Sequence, residues 1–294
     1  MEQVLAVDIG GTKFAAGLVG ADGSLTNRHQ VPTPAGGDAE TLFDALRSVV
    51  AAVLTEADPA SPPVALGVGS AGPMTAGGET ISPLNIAGWR GFPVRARLAE
   101  LTGLPVYVDN DCKALALGEG WQGAAVGCSD FVAMVVSTGV GGGIVLDGRL
   151  LDGAGGNAGH IGHIVVVPDG FPLPGHIPGV LEAEASGTAI AAKTGRPAQG
   201  ATADVIAETG RLVGRAVGSV ANLLDLRLAV VAGSVALGFG EPFFAAAQAE
   251  CDDIARLEYS KGTRIVPALL GGEGPLVGAG AVAWRALGHD IGIR

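Results

Sequence analysis

One local pattern occurs twice in this chain, and it restricts the fold more than any other feature. Val4-Leu5-Ala6-Val7-Asp8-Ile9 reads as a buried strand, followed by Gly10-Gly11-Thr12-Lys13, a second apolar run from Phe14 to Val19 and a turn near Asp22-Gly23. The same order returns as the apolar run Phe131 to Val136, then Ser137-Thr138-Gly139 and Gly141-Gly142-Gly143, the run Ile144 to Leu146, and Asp147-Gly148. Strand, Gly/Thr-rich bend, strand and Asp-Gly turn in two copies indicate one substructure used twice, too far apart to be a repeat array. Glycine loses the most backbone entropy on ordering, so three in a row at a strand end imply positive φ or the close approach of a ligand. Amides bared by glycine, with the hydroxyls of Ser137 and Thr138, form a cradle of the kind that holds phosphate. A Gly-rich hairpin that binds nothing is the alternative. Two such hairpins facing one cleft would hold a nucleotide's phosphates from both sides.

A chain of 294 residues with 48% hydrophobic content is long enough to fill two cores. Only 4% of residues are aromatic, so those cores rest on Ala, Val and Leu. The net charge of −11 argues against a nucleic-acid surface or an acidic membrane, both of which need a basic face. Cys112, Cys128 and Cys251 are widely spaced and include no CxxC pair, which excludes a disulfide framework and a cysteine-rich metal site and fits a reducing cytoplasm. Met1-Glu2-Gln3 leads into an apolar strand with no basic leader, and no apolar run reaches the roughly 18 to 20 residues of a membrane span. The expectation is a soluble, unprocessed cytoplasmic protein.

Between the two copies, residues 32–38 read as loop and Ala39 to Ala57 as an amphipathic helix, with Leu42, Leu46, Val49, Val50, Val53 and Leu54 at helical spacing. Val64 to Val68 reads as a strand stopping at Gly69-Ser70-Ala71-Gly72-Pro73, and residues 83–89 as loop. A short helix from Val94 to Leu101 leads to the strand Val106-Tyr107-Val108. That strand ends in Asp109-Asn110-Asp111, just before a helix that starts near Cys112. Carboxylates there suit helix capping, yet the carboxyl ends of strands are also where open α/β sheets place their chemistry. After the second copy, Ile164 to Val167 reads as a strand and residues 168–179 as irregular chain. Val180-Leu181-Glu182 opens a helix, and Thr202 to Leu226 reads as a long one. The strand Leu228 to Ala232 stops at Gly233-Ser234, small residues suited to the flat face or ribose of a nucleotide. Helix from Phe243 to Ile254, a short strand at Ile265-Val266-Pro267 and a last helix from Pro275 to Leu287 complete the chain.

Four strings in order over essentially the whole chain make it resemble the ROK family of bacterial sugar kinases and related repressors. They are Asp8-Ile9-Gly10-Gly11-Thr12-Lys13, Asn110-Asp111, Thr138-Gly139-Val140-Gly141-Gly142-Gly143 and Ala158-Gly159-His160-Ile161-Gly162-His163. The resemblance implies an α/β chain of the hexokinase/actin-like (ribonuclease H-like) duplicated two-domain fold with a central cleft that closes on ATP and sugar. It implies a smaller α/β domain of residues 1–112 plus 275–294 and a larger one of 113–274. By the same likeness, Asp8 would help to hold Mg2+ with ATP, and Gly10, Gly11, Thr12, Lys13, Thr138, Gly139, Gly141 and Gly142 would hold phosphates, with Gly233 and Ser234 near the nucleoside. Gly72, Asn85, Asn110, Asp111, His160, His163 and Glu182 fall where the family binds sugar, with Asp111 as catalytic base. The implied activity is ATP-dependent phosphorylation of the 6-hydroxyl of a hexose or N-acetylhexosamine, N-acetylmannosamine ahead of glucose. The partners implied are a small sugar, a nucleotide and further copies of the chain as a dimer or tetramer, with no nucleic acid and no membrane. A non-catalytic sugar-sensing, repressor-like protein is the alternative of another class; the family's repressors carry a DNA-binding segment before the first strand, where only Met1 to Gln3 stand here.

The chain departs from the family's pattern in two places. The family's kinases often hold zinc with a histidine of the Ala-Gly-x-x-Gly-His string and three cysteines before the Leu-Glu pair. Here that segment is Pro172-Leu173-Pro174-Gly175-His176-Ile177-Pro178-Gly179-Val180-Leu181-Glu182, without cysteine and with an additional residue, so a tetrahedral Cys3His site is not expected. Proline-rich turns and apolar Leu173, Ile177 and Val180 are expected to stiffen the loop, in preference to a replacement metal site using His163 and His176. The glucokinases of the family usually have glutamate where this chain has His160, whose imidazole offers different hydrogen bonding to a sugar.

Overall fold

The computed structural model describes residues 2–294; Met1, part of the expected unprocessed start, lies outside the described residues. Contacts divide the chain into two compact units, the first of residues 1–123, 152–158 and 270–294 and the second of 124–151 and 159–269. The helix after Asn110-Asp111 lies within the first unit. No helix among the described residues is long and apolar enough to cross a membrane.

In the first unit the chain runs through β1 (Gln3–Ile9), β2 (Lys13–Gly20), β3 (Leu25–Pro32), α1 (Ala39–Glu56), β4 (Leu66–Ser70), α2 (Val94–Thr102), β5 (Val106–Asn110) and α3 (Asp111–Gln122). In the second it runs through β6 (Phe131–Val136), β7 (Val140–Leu146), β8 (Arg149–Leu150), α4 (Leu181–Ala185), α5 (Gly187–Thr194), α6 (Ala203–Leu224), β9 (Leu228–Ala232), α7 (Ser234–Phe239), α8 (Glu241–Ile254) and β10 (Arg264–Pro267). The final helix, α9 (Gly274–Ala286), belongs to the first unit.

The duplication seen in the hairpins extends to whole sheets. The first sheet has the order β3-β2-β1-β4-β5 and the second, read from its other edge, β8-β7-β6-β9-β10. In each, three antiparallel strands are extended by two strands parallel to the first. This shared topology has a geometric consequence for the site: parallel neighbours end at the same edge. Ile9, Ser70 and Asn110, at the ends of β1, β4 and β5, stand in register.

β1 is a continuous apolar run because both faces of its sheet are covered, as expected for strands buried on two sides. Leu5, Val7, Ile9, Leu66, Val68, Val106 and Val108 share a core with Leu42, Leu46, Val49, Val50 and Val53 of α1. Asp38 starts α1 by accepting from the Thr41 amide at 2.8 Å. On the opposite face α9 packs on β1 and β4 so closely that a Cβ at Gly67 would overlap the Ala279 carbonyl oxygen. In the second unit, β6 and β9 pack with Leu212, Val213, Ala216, Val217 and Val220 of α6 and Phe243, Ala247 and Cys251 of α8 in one core.

Three local expectations are corrected. Gly141, Gly142 and Gly143 are not in the bend: they lie inside β7, opposite Val135, Met134 and Ala133, and the bend is Ser137-Thr138-Gly139 alone. None of these glycines takes a positive φ. Their absent side chains make room for the chain's own backbone. A Cβ at Gly142 would stand 3.0 Å from the Gly159 carbonyl oxygen, and one at Gly162 would overlap that of Val140. The strand expected at Ile164 to Val167 does not form; a 3-10 turn occupies Ile161–His163, and only Val165 bridges to Val180. The run's apolar residues are packed by a loop instead. β3 went unread because its middle, Thr26 to Gln30, is five polar residues in a row, although half-buried and exposed positions alternate along Leu25–Pro32.

Gly67→Ala is expected to destabilise the folded chain by about 1–3 kcal/mol, the usual range for forcing a methyl group into filled space. Urea unfolding should show a lower midpoint with an unchanged slope.

Candidate functional site

In the first unit, the expected residues gather at the carboxyl edge of β1, β4 and β5. Asp8 is the second-last residue of β1, pairs with Gly69 of β4 and is buried. Its pKa is raised from the ordinary 3.8 to about 7, chiefly by burial and then by the charge of Asp111, with Lys13 and Arg28 opposing both. The Gly10–Lys13 turn is closed by a hydrogen bond from the Gly10 amide to the Lys13 carbonyl at 3.1 Å. Thr33 pins the same turn, its hydroxyl donating to the Gly10 carbonyl at 2.7 Å and its amide to that of Thr12 at 3.1 Å. Gly11 stands against Asn85: a Cβ there would be 2.8 Å from that of Asn85. The structure thus brings a residue expected on phosphate and one expected on sugar into direct contact.

Asn110 caps α3, its side-chain oxygen accepting from the Cys112 amide at 2.9 Å, and Asp111 Oδ1 accepts from the same amide at 2.8 Å. The capping expectation holds, and the helix start that Asn110 caps also fixes Asp111. Gly72, which precedes a cis proline, lies 3.4 Å from the Asn110 side-chain nitrogen, measured from where its Cβ would be. Asp109 points elsewhere. Its Oδ1 accepts from buried Lys113 at 2.8 Å, and Lys113 also reaches Asp152 at 2.7 Å. Burial raises the Asp109 pKa while Lys113 opposes the shift.

In the second unit, Ser137-Thr138-Gly139 follows β6 and Gly233-Ser234 follows its parallel neighbour β9, so the two segments meet: the Ser137 and Ser234 hydroxyls are 3.0 Å apart. Gly233 needs its φ of 101°, and a Cβ there would overlap the Val136 backbone. The start of α5 holds the bend from behind, with the Gly187 amide donating to the Ser137 carbonyl at 2.7 Å and the Thr188 hydroxyl to that of Thr138 at 2.9 Å. Gly141 and Gly142 lie within β7, beyond the bend.

Glu182, on the short helix α4, reaches back to this bend. Its Oε2 accepts from the Val140 amide at 2.7 Å and lies 2.6 Å from where a Gly139 Cβ would be. Its Oε1 faces His176 Nε2 at 2.8 Å. His160 and His163 are both exposed, with ring centroids 5.4 Å apart and nearly perpendicular planes. The loop before α4 is stiffened partly as expected: Leu173 and Val180 are buried with Ala183 and Ala189, but Ile177 is 61% exposed.

Sequence reasoning missed the parts played by Thr33, Thr188 and His176. Thr33 is flanked by Pro32 and Pro34, a rigid setting for a hydroxyl, which is the one signal it offers. The link from His176 to Glu182 spans six residues of irregular chain and leaves no periodicity to read.

The ROK family model matches residues 4–286, and the chain belongs to the ROK family. The N-acetylmannosamine kinase of Escherichia fergusonii is 38% identical over 252 residues, which are 80% of this chain and 84% of that one. The enzyme of the same name from Shigella flexneri is 37% identical over 253 residues, 81% and 84% of the two chains. A ROK family glucokinase from Streptomyces griseus, solved in complex with glucose and AMPPNP, superposes with a TM-score of 0.83 at 31% identity, covering 96% of this chain and 99% of that one. The ROK hexokinase from Thermus thermophilus gives a TM-score of 0.81 at 32% identity over 98% and 100% of the chains. The fold is accordingly the hexokinase/actin-like α/β fold with its two five-stranded sheets.

A carboxyl with a pKa near 7 in the folded protein and near 3.8 in the unfolded chain binds its proton more tightly when folded. The contribution of Asp8 to stability therefore falls as the pH rises from about 4 to about 7. Asp8→Asn, free of that cost, is expected to melt higher than the parent protein at pH 8 by about 2–5 °C without nucleotide or metal, the gain shrinking toward pH 4. Differential scanning calorimetry across that range measures it.

Proposed function

We propose that this protein is an ATP-dependent sugar kinase that phosphorylates the 6-hydroxyl of a hexose or N-acetylhexosamine, N-acetylmannosamine first and glucose second. The observation that carries the reading is the pair of carboxylates at one sheet edge: Asp111, fixed at a helix start, and Asp8, whose pKa is raised by burial and then by the charge of Asp111. Kinship supports the substrate class, because relatives at 37–38% identity bear the name N-acetylmannosamine kinase.

A sugar hydroxyl is a weak nucleophile. Asp111 accepts its proton as the oxygen bonds to the γ-phosphorus and the bond from that phosphorus to the β,γ-bridging oxygen breaks, releasing ADP. Gly72, Asn85 and Asn110 are read with Asp111 as sugar-binding residues, Gly72 standing beside the Asn110 side chain, and His160, His163 and Glu182 are read as binding sugar hydroxyls as well. The amides of the Gly10–Lys13 turn and of Thr138 and Gly139 receive phosphate oxygens, with Gly141 and Gly142 behind the latter, and Gly233 and Ser234 lie along the nucleoside. Lys13 adds a positive charge.

Asp8 fits a resident Mg2+: a buried carboxylate beside a second one is costly to ionise until a cation meets it, and carboxylate oxygen is the donor this hard ion takes. When bound, Mg2+ neutralises charge on the transferring phosphoryl group.

Asp111→Asn is expected to keep measurable sugar binding by calorimetry and to lose at least about 100-fold in kcat. Retained turnover would remove the base assignment. A coupled ADP-release assay over N-acetylmannosamine, glucose, mannose, fructose and N-acetylglucosamine should give the highest kcat/KM with N-acetylmannosamine. A higher value with glucose would make the protein a glucokinase, and no turnover with any sugar would overturn the kinase reading.

A further inference from the structure

Glu182 sits on a helix of only five residues, Leu181–Ala185, which by itself does little to fix a long side chain. Its carboxylate is nonetheless held at both ends. The Val140 amide binds Oε2 at 2.7 Å, and His176 Nε2 stands 2.8 Å from Oε1. His176 is itself held, Nδ1 facing the Pro174 carbonyl at 3.2 Å and the backbone amide donating to the Leu173 carbonyl at 3.0 Å. Leu173 is anchored in turn, buried against Val180, Ala183 and Ala189 with Phe171 alongside. An unbroken series of contacts thus runs from a small apolar core through His176 to the carboxylate.

An exposed ion pair of this kind would be worth about 0–1 kcal/mol and would need no further account. This one is different in two respects. The His176 and Glu182 side chains retain only 24% and 15% of their exposure, and the carboxylate is oriented by a second, backbone donor from another element. A carboxylate has about four acceptor positions. With one on each oxygen engaged inside the protein, each oxygen keeps capacity in a fixed direction, the arrangement that accepts from two adjacent hydroxyls of one sugar ring.

We infer that His176 is a positioning residue for Glu182, setting the affinity for sugar without touching the phosphoryl donor. The inference rests on the proposed role of Glu182 in sugar binding. His176 takes no part in the chemistry: it keeps the carboxylate from rotating away from the ring hydroxyls, so its loss weakens sugar binding and leaves ATP handling alone.

The test uses the full-length protein and N-acetylmannosamine, or the best substrate of the panel. Glutamine places its amide nitrogen near the position of a histidine Nε2, whereas the shorter asparagine does not reach it. His176→Ala and His176→Asn are expected to raise the sugar KM by about tenfold or more, with ATP KM and kcat within about twofold, while His176→Gln stays within about threefold of the parent. In the Glu182→Ala background, His176→Ala should add nothing to the sugar KM, because a residue acting through Glu182 has nothing left to position. Outcomes separate cleanly. If Glu182→Ala leaves the sugar KM unchanged, the role of Glu182 falls and takes the inference with it. If Glu182→Ala raises it but His176→Ala does not, the inference alone falls. Equal rises in the KM for sugar and ATP, failure of glutamine to rescue, or additive effects in the double variant would likewise overturn it, pointing to loop collapse or direct contact.

Discussion

The second unit depends on backbone meeting backbone along β7. Most strands keep neighbouring segments at side-chain distance; β7 admits residues 159–162 so closely that a Cβ at Gly142, Gly159 or Gly162 would crowd or overlap facing backbone. Glycine within a strand weakens it intrinsically, so the cost has to be offset by what the close approach achieves. Here it brings His160 and His163 beside the same strand whose first residue, Val140, holds Glu182. The residues proposed to bind sugar from this unit are thus organised by one strand. Any Cβ along the contact would move them relative to each other.

The first unit depends on a different constraint, the concentration of carboxylates at a sheet edge. Asp8 near the end of β1, and Asp109 and Asp111 at the end of β5 and the start of α3, stand at one edge with β4 between the two strands, and the fold treats them unequally. Asp109 is matched by Lys113, which also binds Asp152 of the returning segment and so ties residues 152–158 to α3. Burial raises the Asp8 pKa most, the charge of Asp111 adds to the rise, and Lys13 and Arg28 only partly compensate. A structural carboxylate is paired with a lysine; an imbalance of this kind is what a functional site maintains until its ligand arrives.

The strand-bend-strand repeat announced two copies of one substructure, because apolar runs and glycine clusters are visible without knowing what they touch. It also placed Asp8, Asn110, Asp111, Ser137 and Ser234 at strand ends, where the structure has them. What it placed differently from the structure was Gly141 to Gly143, which lie inside β7 and not in the bend. A glycine cluster signals close approach, but not whether the approaching group is a ligand or the chain itself, and at Gly142 it is Gly159 and Ile161 that stand against the open side. The apolar run Ile164 to Val167 misled for a related reason: burial under a loop yields the same composition as burial in a sheet. Thr33, Thr188 and His176 act through single hydrogen bonds to partners far along the chain or across irregular segments, and such links leave no pattern in the residues between.

The segment before α4 shows how a loop without cysteines is kept in place. Glu182 and Glu184 are two residues apart on a single helical turn and therefore point to different sides of it. Glu184 turns toward the loop, accepting from the Phe171 amide and pairing with Lys193, whose ammonium lies 5.3 Å from the Phe171 ring centre. Glu182 turns toward the bend and His176. One carboxylate secures the scaffold and the other is presented to the site, with Leu173, Val180, Ala183 and Ala189 packed between. The apolar residues and the charges of this loop restrain the same few peptides. Movement of either carboxylate would have to disturb that packing, which is why the geometry of Glu182 is inherited from residues well outside the site.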